Sequence, residues 1–284
     1  MPVIDAHARG AAAQPGILAG APSRGRYLFF DLSVDATARA LRETLGRIDV
    51  GVHVVGLGGA ALDRLGLAPG TMRALPAWTS HRGYAAWVWL RGDDAGSLAR
   101  EGIRLAKAAA GALRLIDAVD GFEHAGGRDL TGYVDGTENP EGDAAVAAAL
   151  DLSGGSYVAV LRWSHNFRVW DTLTTDQQDA VIGRRISDNE EIDDAPESAH
   201  VKRTAHESFE PEAFILRRSM PYAAGPDAGL MFVAFGCSYA AFEAQLGRMY
   251  GRDDGIQDGL MAISDPLELA YFWCPPLVNG TLGL

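Results

Sequence analysis

Residues 132–140 read GYVDGTENP. A single aspartate, Asp135, stands among small and turn-forming residues, and Gly132 and Gly136 allow backbone to approach a neighbouring surface closely. The surrounding segment, 121–150, carries Gly, Asp, Asn and Pro at turn density and reads as the junction between two structured halves.

On the N-terminal side of this junction, GRYLFFDLSV reads as a strand and DATARALRETLGRI as an amphipathic helix. VGVHVVGLGG and YAAWVWLRG read as two further strands, AGSLAREGIRLAKAAAGAL as a second helix, and LRLIDAVDGFEH as a closing strand. On the C-terminal side, SYVAVLRWSHNF is a strand, TTDQQDAVIGRR a capped helix, EAFILRRSM and GLMFVAFG are strands, and YAAFEAQLGRMYG is a helix. Each half follows the order strand–helix–strand–strand–helix–strand, the split βαβ or ferredoxin-like unit. The fold class expected is therefore α+β, with a domain over 1–130 and a second over 131–284. Residues 1–24, rich in Ala, Gly and Pro, read as an irregular lead-in.

Composition narrows the functional classes. With 284 residues, the chain can bury a sizeable core without staples. A formal net charge of −12 opposes binding to nucleic acid or to an anionic membrane. Cys237 and Cys274 lie apart in apolar contexts without C-x-x-C spacing, and read as two buried, reduced thiols. No basic n-region precedes an apolar run near the start, no twin-arginine pair opens the chain and no long apolar stretch occurs, so a cytoplasmic location is expected.

Several side chains then compete for chemical roles. His53 sits in an apolar run and reads as a satisfied core histidine, while His165 reads as a loop anchor. IDAHARG, around His7, lacks the second histidine that a metal-binding opening requires. His200 stands between an acidic and a basic stretch in DDAPESAHVKRTAH, where a lone histidine is ordinarily a surface residue. Arg217 and Arg218 are consecutive in a β-patterned run and must point to opposite faces. The inward arginine needs an anion, most simply a salt-bridge partner.

Asp135 in a G-x-x-D-G loop, a histidine 65 residues on and an arginine 17 beyond that form an ordered set. Together with QPGIL, LRWSHNF, VIGRR, SAHV and RRSMP, all in family order, the set resembles the dye-decolorizing peroxidases. These are haem enzymes built from two ferredoxin-like domains with antiparallel sheets, akin to a dimeric α+β barrel. The haem pocket lies mainly in the C-terminal domain. The likeness covers nearly the whole chain, and its short form resembles the compact bacterial B-type group.

The resemblance implies haem b as cofactor, His200 as the proximal ligand of its iron, and Asp135 and Arg217 as the distal pair. It places Ser219 as a polar neighbour, Gly136 and Thr137 in the cofactor-binding loop, and either Arg184 or Arg185 beside a haem propionate. A carboxylate, Asp258 or Asp265, is expected behind His200. Hydrogen peroxide would be the oxidant. Dyes, phenolics and other organic donors would be oxidised through an oxoferryl intermediate, with electrons entering at the haem edge or through aromatics. Trp163, Trp170, Tyr222, Tyr239, Tyr250, Tyr271 and Trp273 are candidates for that route, although ordinary packing accounts for most of them.

The alternative is a non-catalytic haem-binding or haem-storage protein, which would need His200 but not Asp135 and Arg217. Related haem proteins acting on chlorite or porphyrin carboxylates lack the G-x-x-D-G aspartate. The family likeness also implies a homo-oligomer. An encapsulating shell is not expected, because GTLGL follows the last apolar element without a long tether.

Overall fold

The computed structural model describes residues 6–70 and 72–284. Two short helices come first, α1 (Ala6–Ala12) and α2 (Pro15–Leu18). The N-terminal half follows as β1 (Arg24–Leu32), α3 (Ala38–Leu45), β2 (Val54–Leu57), α4 (Gly59–Leu65), β3 (Ala86–Gly92), α5 (Ala95–Ala109) and β4 (Leu113–Phe122). After α6 (Gly142–Ala149), the second half begins with β5 (Ser156–His165), α7 (Phe167–Trp170), α8 (Thr175–Ile182) and α9 (His200–Thr204). It continues through β6 (Leu216–Arg217), β7 (Met220–Ala224), β8 (Asp227–Gly236), α10 (Ala240–Met249) and β9 (Ser264–Cys274). A terminal hairpin, β10 (Leu277–Val278) and β11 (Thr281–Leu282), closes the chain.

Local chemistry fixes the helix ends. The Thr37 side chain accepts from Ala40 N before α3, and Asp94 accepts from Ser97 N before α5. Thr174 and Gln177 make a reciprocal capping box at α8. Along α5, Leu98, Gly102, Leu105 and Ala109 recur at helical spacing and turn inward.

The strands of the first half lie in the order β4-β1-β3-β2, and those of the second in the order β9-β5-β8-β6/β7. Both are the ferredoxin-like pattern read from element order. The halves merge into one continuous sheet that closes on itself, through Leu57 against Trp273 and Gly121 against Tyr222. Alternate strand residues then serve two cores. Tyr27, Phe29, Trp87, Trp89, Val158, Phe235 and Phe272 fill the ring. Leu28, Phe30, Val88, Leu161, Trp163 and Tyr271 face outward under the covering helices.

Four expectations are corrected. Residues 6–18 are helical rather than irregular, because tertiary contacts supply what composition does not: Gln14 is fully buried and its amide grips Val55 and Pro275. The EAFILRRSM run is not one strand. β6 and β7 break at Arg218–Ser219, where the Ser219 hydroxyl accepts from Val233 N at 3.4 Å in place of a backbone carbonyl. The VGVHVVGLGG run shortens to Val54–Leu57, leaving His53 just outside it. Cys237 is exposed, whereas Cys274 is buried; both thiols are free. The closing strand of the second half, β9, was not picked out from the sequence.

Candidate active site

The site lies on the outer face of the second half, where α9 and α10 cover β5 and β8. Two adjoining cavities, enclosing about 580 and 820 Å³ of open space, share Asp135, His200, Thr204 and Arg217. The first is walled by Leu161, Trp163, Leu230, Phe232, Phe242 and Leu246. The second is polar, lined by Glu138, Arg184, Glu191, Lys202 and His206, with Gly136 and Thr137 on its rim.

His200 is the first residue of α9, and its place is heavily determined. Arg203, one turn on, makes a bidentate pair with Asp254 at 2.7 and 2.8 Å and donates to Arg248 O. Gly183 ends α8 with φ +89°, and a Cβ there would collide with Val201. The choice between carboxylates resolves to Asp258: its Oδ2 lies 2.7 Å from His200 Nδ1, and its side chain has no exposure. Asp258 is itself held by its amide on Met249 O and by Leu260 N on its Oδ1. Asp265 instead lies in β9 opposite Ser164 and is exposed. Because an ionised carboxylate only accepts, Nδ1 of His200 carries the proton and Nε2 presents its lone pair.

Asp135 ends a small hairpin. Its amide donates to Gly127 O at 3.0 Å, Arg128 pairs with Val134, and Asp129 N donates to Tyr133 O. The Asp129 carboxylate binds Thr131 N and Oγ1 at 2.9 and 2.6 Å. The Gly136 backbone has φ +77°, and a Cβ there would press on Asn139 Nδ2 at 2.8 Å. Asn139 mimics a strand neighbour of Arg217, accepting from its N at 2.7 Å and donating to its O at 3.1 Å. Arg217 is thereby aimed at Asp135, with 3.8 Å between Nη1 and Oδ1. Its Nε is buried and has no partner. Such a guanidinium is a cation prepared for a further acceptor. Arg218 points the other way, donating to Leu18 O and Ala19 O at 2.8 and 2.6 Å.

The remaining expected residues divide. Arg184 is buried in the polar cavity, bound to Glu138 at 2.8 Å and to Glu191. Arg185 faces out and pairs with Asp188. Ser219 touches neither shared cavity; it lines a third one that also reaches Asp135 and Arg217. Residues that sequence reading missed include Asn139, Asp129 and His206. Burial, and then the charge of Arg217, hold the His206 imidazole below its ordinary pKa. The T-E-N-P turn offered a signal for Asn139, since a turn amide is a common bridge; nothing in the sequence marked the other two.

The donor set fits haem. Among the described residues no group of three or more His, Cys, Asp or Glu could hold a metal ion. One carboxylate-backed histidine beside an apolar cavity suits iron that brings its own macrocycle. The polar cavity with Arg184 and Lys202 suits the carboxylate edge of that macrocycle.

Comparison with known proteins agrees. A family described as Dyp-type peroxidase, C-terminal, matches residues 126–279. A dye-decolorizing peroxidase of Rhodococcus erythropolis is 35% identical over 178 residues, covering 58% of this chain and 52% of the relative. The chain thus aligns over about half the length of the curated relatives it matches. A solved Dyp-type peroxidase from Shewanella oneidensis superposes with TM-score 0.85 at 29% identity, over 92% of this chain and 95% of that one. A variant of DypB from Rhodococcus jostii RHA1, solved with heme, gives TM-score 0.79 at 26% identity, over 91% and 94%. At 24% identity, TM-score 0.78 and coverage of 94% and 96%, the encapsulated DyP-type peroxidase of Mycobacterium smegmatis shares the fold. This chain belongs to the Dyp-type peroxidase family.

Proposed function

We propose that the chain is a haem b peroxidase that uses hydrogen peroxide to oxidise dyes, phenolics and other organic electron donors. The observation that carries this reading is the meeting of two pairs, His200–Asp258 and Asp135–Arg217, on the same cavities. A protein that only stores haem has use for the first pair alone.

His200 Nε2 holds the iron, and Asp258 keeps the opposite nitrogen protonated and makes the ring a stronger donor. Haem, when bound, would supply the iron at which peroxide is cleaved and would hold the two oxidising equivalents that peroxide brings until donors take them. Asp135 takes a proton from one peroxide oxygen and returns it to the other, which leaves as water. Arg217 offers its unpartnered N–H to the charge growing on that leaving oxygen. Arg184 and Lys202 hold the cofactor's carboxylates once the exposed Glu138 and Glu191 swing aside.

No helix among the described residues is long and apolar enough to cross a membrane. The two free thiols support a reducing, cytoplasmic setting. Reconstitution with haemin, followed by spectra with and without peroxide and by turnover of a phenolic donor, tests the reading. A haem-loaded protein that leaves peroxide intact would leave storage as the function.

A further inference from the structure

His165 is the last residue of β5, and its side chain is only 4% exposed. It lines the apolar cavity beside His200. Nε2 lies 3.2 Å from Asp129 Oδ1, and Nδ1 lies 2.7 Å from the Ser264 hydroxyl. The carboxylate can only accept, so Nε2 carries a proton.

The two partners belong to opposite sides of the site. Asp129 ties off the turn of the hairpin that ends at Asp135. Ser264 opens β9, directly after the short 3₁₀ turn Gly259–Ala262 whose N-terminal cap is Asp258, the partner of His200. A second link runs in parallel, from Asn166 N to Ile263 O at 2.7 Å. One imidazole therefore joins the loop carrying the distal acid to the segment carrying the proximal support.

We propose that His165 is a positioning residue that fixes Asp135 and the Asp258–His200 pair relative to each other. The cofactor half of this proposal rests on the haem reading; the hairpin half does not. Both hydrogen bonds are part-buried and made by a ring that is itself almost sealed, so water competes poorly for either partner.

The test uses the full chain without cofactor, then titrated with haemin. In His165→Phe, which keeps an aromatic ring but neither hydrogen bond, amide exchange at Thr131 and Asp135 should accelerate by about 10-fold or more. Haemin affinity should fall on the order of 10-fold, the scale of losing an outer partner of a metal ligand. Ser264→Ala should lower haemin affinity while leaving hairpin exchange unchanged, and Asp129→Asn should do the reverse. His165→Gln, which restores a donor toward Asp129, should recover hairpin protection without recovering affinity. Unchanged exchange and unchanged affinity in His165→Phe overturn the proposal, as does a Ser264→Ala effect on both sides. Should His165→Phe fail to fold, the two partner variants decide by the same readouts. A parent protein that takes up no haemin defeats the haem reading, and the exchange arm still decides whether His165 holds the hairpin.

Discussion

His200 Nδ1 stands 2.7 Å from Asp258 Oδ2, with Asp258 sealed from solvent and its other oxygen occupied by Leu260 N. The imidazole has one free nitrogen and a single way to present it.

His200→Ala should fold and lose most of its haem, because His165, which shares the cavity and also has a carboxylate behind it, has both ring nitrogens bonded, whereas His200 is bonded through Nδ1. Asp258→Asn keeps the volume but not the charge, and should weaken haemin binding by about 10- to 100-fold. Haem-to-protein ratio and haemin titration check both. An unchanged Soret band in His200→Ala would remove the ligand assignment.

On the other pair, Arg217→Leu should slow the reaction with peroxide by on the order of 100-fold or more, the loss of one preorganised donor. Asp135→Asn retains the shape without the proton acceptor and should slow the same step. Arg218→Leu should spare that rate. It removes donors from Leu18 O and Ala19 O, at a cost of about 1–3 kcal/mol in stability. Stopped-flow rates and thermal melts separate the three variants. A silent Arg217→Leu beside a damaging Arg218→Leu would mean that the strand register is misassigned.

Asp129 gives a pH prediction. Burial pushes its pKa up, but hydrogen bonding and the charge of His165, with the Thr131 bonds, outweigh burial and leave it below the ordinary value. A depressed carboxyl stabilises the fold fully above its unfolded pKa, about 3.9, and that contribution fades as pH falls through the lower folded value. Asp129→Asn should therefore be less stable than the parent at neutral pH, by about 1–3 kcal/mol. The gap should close in acid. Denaturant melts at several pH values test this; a gap that widens below pH 4 contradicts it.

The thiols offer a labelling test. Cys237 is exposed, while burial raises the Cys274 thiol far above its ordinary pKa. A thiol reagent should modify one cysteine per native chain and both after denaturation. Cys237→Ser should abolish the fast phase. A native protein that reacts at both positions would contradict the burial of Cys274.

The ferredoxin-like order of each half was legible because most of its strands and helices carry a period of their own and some carry caps, as in the Thr174–Gln177 box. Asp135, His200 and Arg217 were singled out for a different reason: each sits in a short run that resembles the family's own, and the structure brings all three to the same cavities. What failed was choice between neighbours. Asp258 and Asp265 differ in that one caps a 3₁₀ turn behind His200 and the other is an exposed residue of β9. Arg184 and Arg185 differ by the turn that Gly183 allows. The lead-in helices escaped because α1 and α2 carry no amphipathic stripe and are held by contacts from distant strands. Asp129 escaped because a polar bridge between loops has no period at all, and His165 was legible as a loop anchor but without its partners.

Gln14 has a consequence in time. Its amide binds Val55 O and N in β2 and reaches Pro275 O just past β9, at the edge where Leu57 and Trp273 join the halves. Gln14 must wait, during synthesis, for Pro275, which follows 261 residues later. At about 5–20 residues per second, the delay between them is on the order of tens of seconds. Until then Gln14 has no complete set of partners and the ring is open beside β2. The turns around Gln14 thus settle only after β9 is in place, and a ribosome-bound chain lacking β9 should still expose them to a protease.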